Sequence, residues 1–176
     1  RRPGVTFEEV IENIDIGGPS MIRAAAKNFP DVAVVTSPDD YDSILEQLRD
    51  GNGILPQDRL FALAQKAFLH TGQYDGEIAQ FLSEVKHGQE GFELPGETGF
   101  PQRLFMNFEK LSELRYGENP HQRAAFYAWG AEPRHGLAAA EQLQGKELSY
   151  NNLVDLAAAW ALIHEFNEPA CCVVKH

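Results

Sequence analysis

Asp31-Val32-Ala33-Val34-Val35-Thr36-Ser37-Pro38 joins a β-branched run to a helix-start signal. Val32, Val34 and Val35 favour extended backbone, and the flanking prolines confine the run, so it reads as a short buried strand. Ser37 offers a side-chain acceptor to the first free amides of a helix, and Pro38 suits its first position, which predicts a helix to about Asp50. Asn52-Gly53 then breaks the chain. Upstream, Ile14-Asp15-Ile16 reads as a strand end, Gly17-Gly18 as a turn and Pro19 as the start of a helix through Met21-Ile22-Arg23-Ala24-Ala25-Ala26-Lys27. Strand, helix, strand and helix in succession predict a parallel α/β unit. Before it, Phe7, Val10, Ile11 and Ile14 are spaced as in a short acidic helix.

In such a unit, ligands bind where strand ends meet helix N-termini. Asp15 stands at that place, and Arg23 and Lys27, four residues apart, share a helix face. These cations either read a ligand or form a solvated face. From Pro56 to about Val85 the pattern is helical, with Leu60, Leu63, Ala64, Ala67 and Phe68 on one face. His70 and Tyr74 lie one turn apart there, as an acid–base pair or, more simply, as a histidine at a helix contact with Gly72 marking a kink. Residues 86–102 are rich in glycine and proline and read as a linker, narrowed to 88–102.

Arg103-Leu104-Phe105-Met106-Asn107-Phe108 is strand-like and leads into Arg115-Tyr116-Gly117-Glu118-Asn119-Pro120-His121-Gln122, a loop dense in functional groups with little to bury. Gly117 and Asn119-Pro120 form turns that carry Arg115, Tyr116 and His121 outward. Ala124–Trp129 reads as a strand. Ser149 or Asn151 caps a substantially buried helix from Leu153 to Phe166, and Asn152 is either a cap or a ligand contact. Ala170–Val174 reads as a buried strand ending in Lys175-His176. At the mouth of such a strand these two groups face a cleft or snorkel to water. A domain rarely ends at the last residue of an interior strand, so the chain is expected to be a segment of a longer polypeptide.

The 176 residues carry 15 Lys+Arg against 26 Asp+Glu, a net charge of -11, which argues against nucleic acid or an anionic membrane as a partner. Any anionic ligand then needs a local basic patch. No apolar run approaches the roughly 20 residues of a membrane span, and residues 1 onward do not show the charged, apolar and cleavage regions expected of a signal peptide. Cys171 and Cys172 are adjacent, so a disulfide between them would be strained, and a reducing cytoplasm is the simplest setting. The spacings suggest no metal site and no phosphate-cradling glycine loop.

Taken together, Ile14-Asp15-Ile16-Gly17-Gly18, Arg23-Ala24-Ala25-Ala26-Lys27-Asn28, His70-Thr71-Gly72-Gln73-Tyr74-Asp75, the 115–122 loop with Leu114, and Lys175-His176 resemble the bifunctional AICAR transformylase/IMP cyclohydrolase family of purine biosynthesis. The resemblance implies that residues 1–87 are the C-terminal part of a cyclohydrolase domain of the methylglyoxal-synthase-like α/β type. Residues 88–102 would be a linker, and 103–176 the N-terminal part of a cytidine-deaminase-like α/β transformylase domain. It implies formyl transfer from 10-formyltetrahydrofolate to AICAR, then ring closure of formyl-AICAR to IMP.

On the same grounds His176 would be the catalytic base, Lys175 would stabilise the formyl oxygen, and Arg115 and Tyr116 would hold the nucleotide phosphate near Asn152. Asp15, Ile16 and Gly17 would contact the inosine nucleotide, and Lys27 would move a proton during ring closure. A homodimer is implied for the parent protein, with the folate bound mostly outside this segment. The family's N-terminal phosphate loops and folate-binding bulk have no counterpart here, so the isolated segment is expected to be inactive. A non-catalytic nucleotide-binding or scaffold module is the alternative.

Overall fold

The computed structural model describes residues 4–89, 91–96, 100–129 and 134–175. The chain divides into two compact units, Arg1–Phe105 and Met106–His176.

The first unit is mainly helical: α1 Phe7–Glu12, α2 Gly17–Lys27, α3 Tyr41–Asp50 and α4 Gln57–Glu84. Thr6 closes a capping box with Glu9 at the start of α1, which satisfies amides that would otherwise lack partners. α2 begins at Gly17, so the double glycine lies in the first helical turn rather than in a turn before it. Ser37 accepts a hydrogen bond from the Asp39 amide and opens a 3₁₀ turn, Pro38–Asp40, that runs into α3. Asn52 and Gly53 end that helix with left-handed φ of 51° and 85°. Gly53 does so without steric cost, and asparagine is among the few other residues that tolerate it. α4 continues unbroken through Gly72, where a kink was expected.

Ala26 of α2 packs on Ala64 and Ala67 of α4, and their small side chains let the two backbones approach closely. A second cluster joins Ile44, Leu55, Leu60 and Leu63, with Phe29, Val35 and Leu48 against it. The strand expected at 32–35 is absent: these residues pair with no strand among those described. Val35 packs against one cluster and Val34 against the other instead, since burial alone does not supply a ladder partner. After α4, β1 Lys86–Gly88 and β2 Gly91–Glu93 form an antiparallel hairpin. Phe92 of that hairpin stacks on Phe7 at 4.2 Å.

In the second unit β3 Phe108–Leu114 pairs antiparallel with β4 Ala124–Trp129, with an irregularity between Lys110 and Ser112. β3 starts at Phe108, so the strand-like pattern at 103–107 does not continue into the ladder. A 3₁₀ turn at Gly136–Ala139 precedes α5, Tyr150–Ile163.

The chain is thus a mixture of helices and strands, but every pairing among the described residues is antiparallel, not the parallel unit expected. α5 also departs from expectation, because none of its residues is buried and Trp160 remains 49% exposed. Its apolar side chains predict burial, which requires a partner face that these residues do not supply. Residues 170–174 likewise pair with nothing among the described residues, and Val173 is 91% exposed.

Candidate functional site

In the second unit the loop between β3 and β4 is closed on itself. The Gln122 amide donates to the Asn119 carbonyl at 3.0 Å, and the Gly117 amide donates to the Gln122 carbonyl at 2.9 Å. The Asn119 amide donates to Gln122 Oε1 at 2.8 Å. Gly117 is buried, and a Cβ there would lie 3.0 Å from Gln122 Cβ. Close approach of the two loop arms therefore favours glycine at this position.

This closed loop is fastened to the start of α5. The Arg115 amide donates to the Leu148 carbonyl at 2.9 Å, and the Tyr150 amide donates to the Tyr116 carbonyl at 3.0 Å. Asn151 Nδ2 adds a bond to the Glu118 carbonyl at 3.3 Å. The Arg115 guanidinium lies 4.9 Å from the centre of the Tyr116 ring, and its Nη2 donates to the Tyr116 hydroxyl at 3.3 Å. It is exposed and makes no ion pair among the described residues. Such a planar, aromatic-backed cation has donors in hand for an anion.

Ser149 is buried and caps α5: its hydroxyl accepts from the Asn152 amide at 3.3 Å. Asn152 Oδ1 reciprocates by accepting from the Ser149 amide and hydroxyl, both at 3.0 Å. Asn152 is thus a cap, while its Nδ2 makes no hydrogen bond among the described residues. The structure brings Arg115, Tyr116 and the Asn152 turn together through backbone bonds. Lys175 is exposed and without a partner among the described residues, and His176 lies outside them.

In the first unit the Asp15 amide donates to the Tyr74 hydroxyl at 2.8 Å, and an Asp15 carboxylate oxygen accepts from the Gly18 amide at 3.0 Å. A side chain at position 18 would collide with that carboxylate. Ile16, between the two clamps, is 72% exposed. Lys27 is exposed at the other end of α2, ten residues from Gly17 and so about 15 Å along the axis. Lys27 and Asp15 are therefore not drawn together. Arg23 rests over Phe68 at 5.5 Å from its ring centre. His70 is exposed and makes no hydrogen bond among the described residues, so Tyr74 is tied to Asp15 rather than to His70.

Sequence reasoning named Gln122 within the loop and Asn151 as a candidate cap but missed the bonds by which they close and fasten the 115–122 loop, and it missed a buried charge cluster at Asp40. Lys66 Nζ reaches both carboxylate oxygens of Asp40 at 2.7 and 2.8 Å, and Arg59 Nη2 reaches one at 3.1 Å. The Lys66 hydrogen bond, assisted by its charge and by Arg59 and opposed by burial, holds the Asp40 carboxyl below its ordinary range. Arg59 and Lys66, seven apart on α4, were the available signal. Among the described residues no group of three or more His, Cys, Asp or Glu side chains is placed to hold a metal ion. None of their helices is long and apolar enough to cross a membrane.

Comparison with known proteins adds independent findings. Residues 25–176 match the family described as AICARFT/IMPCHase bienzyme. The bifunctional purine biosynthesis protein PurH of Acidithiobacillus ferrooxidans is 55% identical over 171 residues, covering 97% of this chain and 31% of its own length. PurH of Neisseria gonorrhoeae is 50% identical over 176 residues, covering 99% of this chain and 33% of its own. PurH of Xylella fastidiosa is 51% identical over 172 residues, covering 97% and 32%. A solved structure described as the crystal structure of ForH aligns over 41% of this chain and 40% of its own, with 45% identity and a TM-score of 0.39. The chain spans about a third of the length of the curated relatives it matches.

Proposed function

The chain belongs to the AICARFT/IMPCHase bienzyme family, and from that membership we propose that its full-length protein catalyses two consecutive steps of purine biosynthesis. The first transfers a formyl group from 10-formyltetrahydrofolate to AICAR, and the second closes formyl-AICAR to IMP with loss of water. Residues 1–87 are assigned to the end of a methylglyoxal-synthase-like cyclohydrolase domain, 88–102 to a linker, and 103–176 to the start of a cytidine-deaminase-like transformylase domain. The protein acts as a cytoplasmic homodimer on small-molecule substrates, and the folate is held mostly by residues beyond this chain.

The observation that carries this reading is the Arg115–Tyr116 loop, fastened by backbone bonds to the capped start of α5. An aromatic-backed guanidinium suits the phosphate of AICAR, since its fork of donors matches phosphate oxygens. The Nδ2 of Asn152 is assigned to the same nucleotide. His176 takes the proton as the AICAR amine attacks the formyl carbon, and Lys175 stabilises the negative charge on the formyl oxygen. In the cyclohydrolase part, Asp15, Ile16 and Gly17 contact the inosine nucleotide and Lys27 transfers a proton.

The test is Arg115→Ala in the full-length protein, with both reactions followed separately. A charge-assisted hydrogen bond is worth about 1.5–3 kcal/mol, so the KM for AICAR is expected to rise about 10- to 100-fold while cyclisation of formyl-AICAR is unaffected. An unchanged KM for AICAR overturns the assignment of Arg115. Nucleotide binding with neither reaction would instead favour a non-catalytic module.

A further inference from the structure

Asp15 is held at two points, one by its own helix and one by a residue 59 positions away. Its carboxylate accepts from the Gly18 amide at 3.0 Å. Its backbone amide donates to the Tyr74 hydroxyl on α4 at 2.8 Å. That amide precedes α2 and takes part in no helical bond, so Tyr74 supplies the acceptor it would otherwise find in water. Ile16 is left projecting between these two fixed points, largely exposed. Glycine at 18 is needed for the inner clamp, because a Cβ there would meet the Asp15 carboxylate.

We infer that Tyr74 is a positioning residue for the Asp15–Gly17 turn: it sets the presentation of that turn to the nucleotide and does not exchange protons in the reaction. The inference rests on the reading of Asp15, Ile16 and Gly17 as nucleotide contacts. The α2–α4 packing through Ala26, Ala64 and Ala67 is the frame that carries the clamp. The phenol oxygen accepts from the Asp15 amide and so holds the turn in place, while His70 makes no hydrogen bond to it and is not placed to take its proton.

The experiment compares Tyr74→Phe and Asp15→Asn in the full-length protein, with formyl transfer measured in the same preparations as a control for folding. Tyr74→Phe keeps the ring and removes the hydroxyl, with both the acceptor for the Asp15 amide and the O–H donor. One intramolecular hydrogen bond corresponds to about a 3- to 10-fold effect, so the KM for formyl-AICAR should rise by that factor. Cyclisation kcat, its pH profile and formyl transfer should stay as they were, and the Asp15 amide should exchange with solvent faster. A loss of kcat of about 100-fold or more, with KM unchanged, would identify Tyr74 as a proton-transfer group and overturn the inference. So would a silent Tyr74→Phe beside an Asp15→Asn that raises KM. If Asp15→Asn is itself silent, the nucleotide-contact reading fails first, and the inference fails with it.

Discussion

Asp40 gathers two cations of α4 around one carboxylate. Its carboxylate is buried between Lys66 and Arg59, and the Lys66 hydrogen bond is the main reason that it titrates below its ordinary value of 3.8. A carboxyl with a lower pKa in the folded state than in the unfolded one binds its proton first on unfolding. Its stabilisation is therefore complete above that ordinary value and is lost as pH falls through the folded value. Asp40→Asn should lower stability by about 1–3 kcal/mol at pH 7 and flatten the dependence below about pH 4. Denaturant titrations across that range read both effects, and an unchanged acid limb contradicts the assignment. In the sequence only the two cations on one side of α4 hinted at the cluster, because Asp40 itself lies 19 and 26 positions from them.

At the scale of elements, the start of α5 combines a cap with a candidate contact, and the two roles use different atoms of Asn152. The cap uses Oδ1, which accepts from Ser149 at 3.0 Å. Asn152→Asp keeps that acceptor and removes the Nδ2 donor, so thermal stability should be retained while the KM for AICAR rises. Ser149→Ala should instead cost about 1 kcal/mol of stability, the usual effect of losing a cap. A rise in KM absent from Asn152→Asp leaves capping as the only role. Much of this was legible beforehand: the Asn119-Pro120 turn, the Ser149 cap, the long α4 and the extended 124–129 segment all follow from local chemistry. The strands at 32–35 and 170–174 did not follow. Valine-rich composition specifies extended, apolar backbone, but a strand exists only where another supplies its ladder, and no pattern in one segment reports that.

For the whole molecule, the compact units divide at Phe105/Met106, while the motifs of the sequence led to an expected division around residues 88–102. Local pattern gave the helices, whereas the hairpin of β1 and β2 within the glycine-rich stretch, the other antiparallel pairing and the exposed face of α5 depend on which faces meet. The same limit applies to the chemistry. The Arg115 loop and the Asp15 turn are built by residues of this chain, while Lys27 stands about 15 Å along α2 from the Asp15 end and calls for a separate test of its role. Lys175 and His176 carry the central claim, that this chain holds the proton-transfer end of a formyl-transfer site. The most direct measurement is formyl transfer from 10-formyltetrahydrofolate to AICAR by the full-length protein, unaltered and as His176→Ala, with AICAR binding followed by calorimetry. A positioned general base contributes about 10²–10⁴-fold, so turnover should fall by that factor while AICAR still binds. Unchanged turnover in His176→Ala would contradict the account and withdraw the assignment of formyl-transfer chemistry to Lys175 and His176.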